Sequence, residues 1–281
     1  MLLSLSPMND KPEAERKKKR KERADTFVLS RGLSESQEKA RALIMAGLVF
    51  SGGKRVEKPG EMVDPEAALS VLRPIPYVGR GGLKLEEALD AFAIDCRGAV
   101  AADLGSSTGG FTDCLLQRGA RIVYAVDVSI SQLDWRLRRD ERVIPIEKNA
   151  RHLRKEDFRE TPGIVTMDVS FISVLKVLPA IRSFLGNGIL LSLLKPQFEA
   201  GKGQVGRKGV LRDPARHETV LNRVLEAAGE LGFVVRGLLK SSVRGQKGNR
   251  EFFVCWALGQ DAWPAERVRG LVREVVYGEK N

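Results

Sequence analysis

Polar side chains stand at the ends of several apolar runs in this chain, where the strands of a sheet would end. They are Asp103, Asp127, Asp168 and Lys195. Because ligands of open α/β sheets bind outside the carboxyl ends of the strands, we expect these side chains to line one site. Carboxylates and an amine in one site can bind a cationic ligand and move a proton during group transfer.

The turn after Asp103 is rich in glycine and reads D-L-G-S-S-T-G-G-F. It leaves backbone N–H groups open to a ligand where a helical pattern begins at Phe111. The dinucleotide spacing G-x-G-x-x-G is absent from this turn, and carboxylates at Asp103 and Asp127 suit an ammonium group and a ribose diol. S-adenosylmethionine carries both groups, so we expect it to bind here; an ordinary βα turn flanked by two aspartates is the alternative.

Composition limits the class of protein. The chain has 281 residues and 43% hydrophobic content, which suits one large domain plus a small one. The longest nearly unbroken apolar run, residues 189–194, is far shorter than the roughly 20 residues that a bilayer helix needs. We therefore expect a cytoplasmic protein without membrane contact. Three scattered cysteines and two histidines, His152 and His217, predict no metal site, and both histidines are expected at the surface.

The net charge of +11 is unevenly distributed. Residues 1–23 carry eight Lys and Arg against four Asp and Glu, and they are predicted to be a disordered basic tail. The rest of the excess lies in the large domain. A polyanionic partner is the natural interpretation of this charge, and a merely solvated tail is the alternative for the first segment.

Residues 24–70 are predicted to form a small α+β domain. Ser34 followed by Gln37 predicts a capping box, and Gly47 is placed to end that helix in a left-handed conformation. The run L-V-F-S-G-G-K-R-V predicts two short strands around a glycine turn. The prolines and glycines of R-P-I-P-Y-V-G-R-G-G make residues 71–82 a linker.

Strands alternate with helices over residues 83–260. This alternation predicts a Rossmann-like, doubly wound parallel sheet with one late antiparallel strand. The strands are expected near residues 99–103, 121–127, 143–147, 163–168, 188–194, 233–240 and 250–258. Residues 261–281 carry no recognisable signal and are treated as a C-terminal tail.

The small domain resembles the S4 RNA-binding module. The resemblance rests on R-G-L-S-E-S, A-G-L-V and K-P-G in that order. It implies that cations sharing one face bind RNA, and a protein-contact module is the alternative. The candidate cations are Arg31, Lys39, Arg41, Lys54 and Arg55.

The whole chain resembles the TlyA family, in which an S4 module precedes an FtsJ-like methyltransferase domain. The resemblance rests on G-G-L-K-L, D-L-G-S-S-T-G-G-F-T-D, M-D-V-S-F-I-S, K-P-Q-F-E-A-G and K-G-N-R-E-F-F. Members are described as ribosomal RNA 2′-O-methyltransferases, and some were first named haemolysins. The resemblance implies ribosomal RNA or ribosomal subunits as partners. It also implies a catalytic set, namely Lys84, Asp168, Lys195 and Glu251. The methyl-donor site would comprise Asp103, Gly105, Ser107, Thr108, Gly109, Gly110, Asp127 and Asn149.

Methylating a ribose hydroxyl needs in-line attack of the oxygen on the sulfonium methyl and loss of the hydroxyl proton. Lys195 can accept that proton if burial and a positive neighbour such as Lys84 disfavour its charged form. Asp168 and Glu251 act in the opposite direction, so which member of the set is the base stays open.

Two basic stretches are expected to border the pocket and to hold RNA phosphates, with solvated loops as the alternative. Their candidates are Arg207, Lys208, Arg244 and Lys247. Two alternative functions are a non-catalytic RNA-binding or ribosome-assembly protein and a membrane-active haemolysin-like protein. The complete catalytic set argues against the first, and the lack of an amphipathic membrane segment argues against the second.

Overall fold

The computed structural model describes residues 21–72, 75–201, 205–206, 209–259 and 261–278. The chain divides into two compact units, Met1–Pro74 and Ile75–Asn281. Each unit has hydrophobic clusters of its own. Most of the predicted basic tail lies outside the described residues.

The small unit combines two helices with short antiparallel strands. Its strands are β1 (Glu22–Arg23), β2 (Val49–Ser51), β3 (Lys54–Arg55), β4 (Met62–Val63) and β5 (Leu69–Val71). Its helices are α1 (Ala24–Ser30) and α2 (Gln37–Met45). The strand β1 pairs with β4, and the other three form a sheet in the order β3-β2-β5. Apolar residues of both helices and of β2, among them Phe27, Ile44 and Val49, form its hydrophobic core.

The cap of α2 differs from the prediction. Ser36, not Ser34, caps the helix, because its hydroxyl accepts from the Lys39 N–H at 3.1 Å. Ser34 lies too far before the first turn and instead donates to the Ser36 carbonyl at 2.7 Å. Gly47 follows the helix with a left-handed φ of +71°, as predicted.

The large unit is a sheet between two helical layers. Its strands are β6 (Val100–Leu104), β7 (Ile122–Asp127), β8 (Val143–Glu147), β9 (Ile164–Met167), β10 (Ile189–Leu194), β11 (Phe233–Lys240) and β12 (Phe252–Leu258). Its helices are α3 (Gly81–Ala91), α4 (Gly110–Gln117), α5 (Trp135–Arg138), α6 (Leu178–Leu185), α7 (Pro196–Glu199), α8 (Pro214–Glu230) and α9 (Ala265–Tyr277).

The seven strands lie in the order β11-β12-β10-β9-β6-β7-β8. Strands β6 to β10 pair in parallel, while β12 is antiparallel to both of its neighbours. The doubly wound sheet with a late antiparallel strand is therefore confirmed. The strand order reverses between β6 and β9, and a ligand is expected at such a switch point.

The core lies on both faces of the sheet. Helices α3 and α4 cover one face, and α6, α8 and α9 cover the other. The C-terminal segment is thus not a tail along its whole length: Val272 of α9 is fully buried against this second face. Val268, Val272 and Val275 recur at helical spacing in a stretch otherwise rich in charge, and contact with the core orders the helix. Within the described residues, no helix is long and apolar enough to cross a membrane.

Candidate active site

The four predicted catalytic residues line one cavity of about 400 Å³. Each comes from a different element. Lys84 lies in the first turns of α3, Asp168 directly follows β9, Lys195 directly follows β10, and Glu251 directly precedes β12. The tertiary structure therefore brings together residues that are up to 167 positions apart in sequence.

Two ion pairs organise these four side chains. The Lys84 amine donates to a Glu251 carboxylate oxygen at 2.6 Å, and Lys195 pairs with Asp168 at 2.6 Å. Glu251 packs so closely against Gly245 that a Cβ there would lie 1.9 Å from its Oε1 atom. Removing one partner of a pair this deeply buried leaves an uncompensated charge.

Lys195 is surrounded by oxygen acceptors. Besides Asp168, its amine donates to the Ser170 hydroxyl at 2.9 Å and to the Val169 carbonyl at 3.1 Å. The residue is only 8% exposed. These three oxygen partners suit a positively charged amine. Lys84, the positive neighbour that we expected beside Lys195, is itself paired with Glu251.

A second cavity of about 530 Å³ shares one wall with the first. Both are lined by residues of the glycine turn and of the loop after β9, including Gly105, Ser107 and Asp168. The second cavity also contains Asp127 and Asn149, two of the predicted donor-site residues. Asp127 accepts from the Ser107 N–H at 2.9 Å and from the Ser129 N–H at 3.1 Å, which fixes its carboxylate at the cavity edge.

The glycine turn approaches the loop after β9 very closely. Gly105 has φ +82°, and a Cβ there would lie 2.8 Å from the Asp168 carbonyl oxygen. A side chain at this position would push the two loops apart. The neighbouring Ser106 hydroxyl lines the first cavity and, among the described residues, is buried without a hydrogen-bond partner.

Asp103 does not reach either cavity. It is fully buried, and its two oxygens accept from the hydroxyls of Thr112 at 2.8 Å and Thr166 at 3.1 Å. Burial raises the pKa of Asp103 to about 7, against the opposing effect of those hydrogen bonds. The Asp103 carboxylate faces the two threonines beneath the turn. It is therefore not placed for the predicted contact with a ligand ammonium.

The remaining residues of the turn have separate places. Thr108 and Gly110 line the first cavity. Gly109 lines neither cavity; it has φ +96° and precedes α4, where a Cβ would lie 2.2 Å from the Leu137 side chain. Its role is to let α5 pack onto the turn.

An exposed aromatic residue at the site was not predicted. Phe171 lines both cavities, is 90% exposed, and has a left-handed φ of +62°. Its ring lies 4.9 Å from that of Phe198, centroid to centroid. The sequence signal that could have indicated Phe171 is its place in M-D-V-S-F, an aromatic residue in the loop directly after a polar strand end. No sequence signal indicates the left-handed backbone of Phe171.

The predicted phosphate-binding residues of the large unit divide into three cases. Lys247 lines the first cavity with φ +58°. Arg244 is exposed and lines neither cavity. Arg207 and Lys208 lie outside the described residues. Asn249, which was not predicted, ties this region together by accepting from Leu211 N–H and donating to the Gly209 carbonyl, each at 3.0 Å.

The cations of the small unit are exposed and mostly have local partners. Lys39 pairs with Glu35, Arg41 with the buried Asp25 and Arg55 with Glu57. Arg31 donates to a backbone carbonyl and lies over the Phe27 ring. Lys54 is exposed beside the glycine turn of the β2–β3 hairpin.

One of the two histidines is not at the surface. His217 is 4% exposed, and its Nε2 lies 2.9 Å from the Leu211 carbonyl oxygen. Burial lowers its pKa. It lies on the core-facing side of α8, which the histidine type alone did not reveal.

The site combines three features of methyltransferases. A glycine turn follows the first strand of a parallel sheet, an acidic residue ends the second strand, and two lysines, an aspartate and a glutamate line one cavity. The FtsJ-like methyltransferase family matches residues 77–258, and the S4 domain matches residues 22–69.

Named relatives agree with these matches. The Bacillus subtilis protein YqxC, named as an rRNA methyltransferase, is 46% identical over 255 residues, 89% of each chain. The Mycobacterium tuberculosis 16S/23S rRNA (cytidine-2′-O)-methyltransferase TlyA is 42% identical over 239 residues, 84% of this chain and 89% of TlyA. A solved hemolysin-like structure from Streptococcus thermophilus has a TM-score of 0.69 at 41% identity, covering 92% of this chain and 96% of that one. The chain belongs to the TlyA family of FtsJ-like methyltransferases with an N-terminal S4 domain.

Proposed function

We propose that this protein transfers a methyl group from S-adenosylmethionine to the 2′-hydroxyl of a cytidine in ribosomal RNA. The observation that carries the proposal is the cavity in which Lys84, Asp168, Lys195 and Glu251 meet. This cavity adjoins a second one that suits the donor. The cytidine and the ribosomal substrate follow the printed names of relatives that are 34–42% identical.

The residues of the second cavity fit S-adenosylmethionine. Asp127 offers carboxylate oxygens to the ribose diol, and Asn149 lies beside Ala150 and Ile172, which suit the adenine. The Ser106 hydroxyl, which lines the adjoining first cavity and is buried without a hydrogen-bond partner among the described residues, fits the amino-acid end. When bound, the donor supplies an electrophilic methyl on a sulfonium centre, and this leaving group is already good.

The chain's own residues then have to align the hydroxyl and remove its proton. The O–H bond breaks as the O–CH₃ bond forms, and the Lys195–Asp168 pair takes up the proton. Lys195 is the member of this pair that can accept the proton, in its neutral form. Lys84 and Glu251, held together in the same cavity, orient the ribose by hydrogen bonds.

Aromatic and cationic groups at the mouth of the first cavity suit a nucleotide. Phe171, backed by Phe198, offers a ring on which a base can stack. Lys247 offers an ammonium to a phosphate. The small unit adds exposed cations. The Lys39–Glu35 and Arg55–Glu57 pairs lie at the surface and are worth only about 0–1 kcal/mol each, so RNA phosphates can displace these two carboxylates.

The experiment is to map 2′-O-methyl groups on ribosomal RNA from cells with and without this protein. Purified ribosomal subunits and labelled S-adenosylmethionine then test transfer directly. We expect label on a cytidine 2′-oxygen with the parent protein, and far slower labelling with Lys195→Met. Label on a base, or no label in any ribosomal RNA, would contradict the proposal.

A further inference from the structure

The loop of residues 168–173 forms the wall shared by the two cavities, and it is held at both ends by one short segment. At its start, Lys195 contacts Asp168, Val169 and Ser170. At its end, Glu199 contacts Ser173. Lys195 and Glu199 are four residues apart, about one turn of helix: Lys195 directly precedes α7, and Glu199 is its last residue.

Glu199 is a buried carboxylate that lines neither cavity. It is 7% exposed and accepts from the Ser173 hydroxyl at 2.6 Å and from the Val174 N–H at 2.8 Å. The same Ser173 hydroxyl accepts from the Leu175 N–H at 3.2 Å and caps the next turn. Arg223 of α8 donates to the Glu199 backbone carbonyl, which anchors α7 from behind.

Between these two attachments, the loop carries a conformation that it would not keep alone. Phe171 has a left-handed φ of +62° and is 90% exposed. A bulky residue in this region is strained and persists only where its surroundings hold it. Solvent does not hold the ring, so the constraint comes from the bonds on either side and from Phe198.

We propose that Glu199 is a positioning residue for methyl transfer: its carboxylate fixes the end of the loop of residues 168–173 and thereby presents Phe171 and Ser170 to the RNA. This inference rests on the proposed function. Glu199 acts through Ser173 and Val174, and it touches neither the donor nor the reacting oxygen.

The test measures the single-turnover rate of methyl transfer to ribosomal subunits at saturating donor. We expect Glu199→Ala to slow transfer by about 10- to 100-fold, the effect of small misplacements in an active site. Ser173→Ala should act in the same direction. Glu199→Gln should stay close to the parent rate, because its amide can accept from the Val174 N–H and donate to Ser173 Oγ. Glu156→Ala, at an exposed glutamate outside both cavities, is the matched control.

A double-mutant cycle with Phe171→Ala separates positioning from general stability. If Glu199 acts through the loop, Phe171→Ala combined with Glu199→Ala is no slower than the slower single variant. Should Glu199→Ala fail to fold, Ser173→Ala takes its place in the cycle.

Three results would overturn the inference: a parent-like rate for Glu199→Ala, effects that multiply in the cycle, or Glu199→Gln as slow as Glu199→Ala. A parent protein that transfers no methyl group to RNA would instead refute the proposed function. The two failures are therefore distinguishable.

Discussion

Lys195 and Asp168 form an ion pair with charged atoms 2.6 Å apart. Both residues line the first cavity, and Asp168 also lines the second one. A lysine placed in this way can act as a base by relaying a proton, or as a fixed positive charge that stabilises the developing alkoxide. These two roles need different chemistry from the side chain, so substitutions can separate them.

Replacing Lys195 by Met removes the nitrogen and keeps a stem of similar length. We expect donor and RNA binding to survive while the single-turnover rate falls by about 10²–10⁴-fold, as on loss of a general base. Lys195→Arg should be equally slow, because a guanidinium does not give up its proton at neutral pH. A parent-like rate for Lys195→Arg would assign the residue a fixed-charge role.

Asp103 predicts a pH-dependent stability. Its pKa is raised from an ordinary 3.8 to about 7, so the folded protein keeps a proton that the unfolded chain loses. The free energy of unfolding therefore falls as the pH rises from about 4 to 7, by up to roughly 1.4 kcal/mol per unit. Asparagine at this position can hydrogen-bond both threonines without ionising.

Between pH 5 and pH 7, we thus expect the parent to lose about 2 kcal/mol more stability than Asp103→Asn. Urea unfolding of donor-free protein at the two pH values measures the difference. Identical changes in both proteins would mean that Asp103 does not titrate in this range.

At the scale of elements, α9 shows how an uninformative segment becomes ordered. Its apolar side packs against the face of the sheet covered by α8, and its opposite side is charged. Two neighbouring residues of α9 allow the contribution of apolar burial to be compared with that of a surface ion pair. Val272 is fully buried, whereas Arg273 lies at the surface and pairs with Glu218 at 3.0 Å.

We expect Val272→Ala to cost about 2 kcal/mol of unfolding free energy, since it removes buried methyl groups and leaves a cavity. Arg273→Ala should cost at most about 1 kcal/mol, as exposed ion pairs do. Neither change should alter donor affinity. Thermal unfolding of the two variants checks the ranking, and an equal loss in both would contradict a core role for α9.

At the scale of the whole molecule, two compact units share a net charge of +11. Separate hydrophobic clusters mean that the large unit keeps its own core without the small one. If both units hold RNA phosphates, the affinity for RNA should fall steeply with salt, because bound counterions are released on binding.

Deleting residues 1–72 should therefore weaken RNA binding and flatten its salt dependence while leaving donor affinity nearly unchanged. Filter binding at several salt concentrations, with calorimetry for the donor, measures both. An unchanged RNA affinity would assign the small unit another partner.

Local patterns were sufficient for the seven strands of the large unit, for the glycine turn and for the polar residues at the strand ends. Such features depend on neighbours in the sequence: apolar periodicity, turn residues and strand-end polarity act over a few positions. The strand over residues 143–147 was predicted with its observed bounds. Family motifs identified the four catalytic candidates, which no local pattern singled out as a group.

Packing between distant segments decided the rest. Asp103 and Asp127 both lie near the carboxyl ends of neighbouring strands, yet one is buried by Thr112 and Thr166 and the other faces a cavity. The pairing of Lys195 with Asp168, the burial of Glu199 and the strained backbone of Phe171 likewise depend on which loops meet above the sheet. The free energy of these contacts comes from burial and hydrogen bonds between residues far apart in the chain, so residue types and spacing could not reveal them.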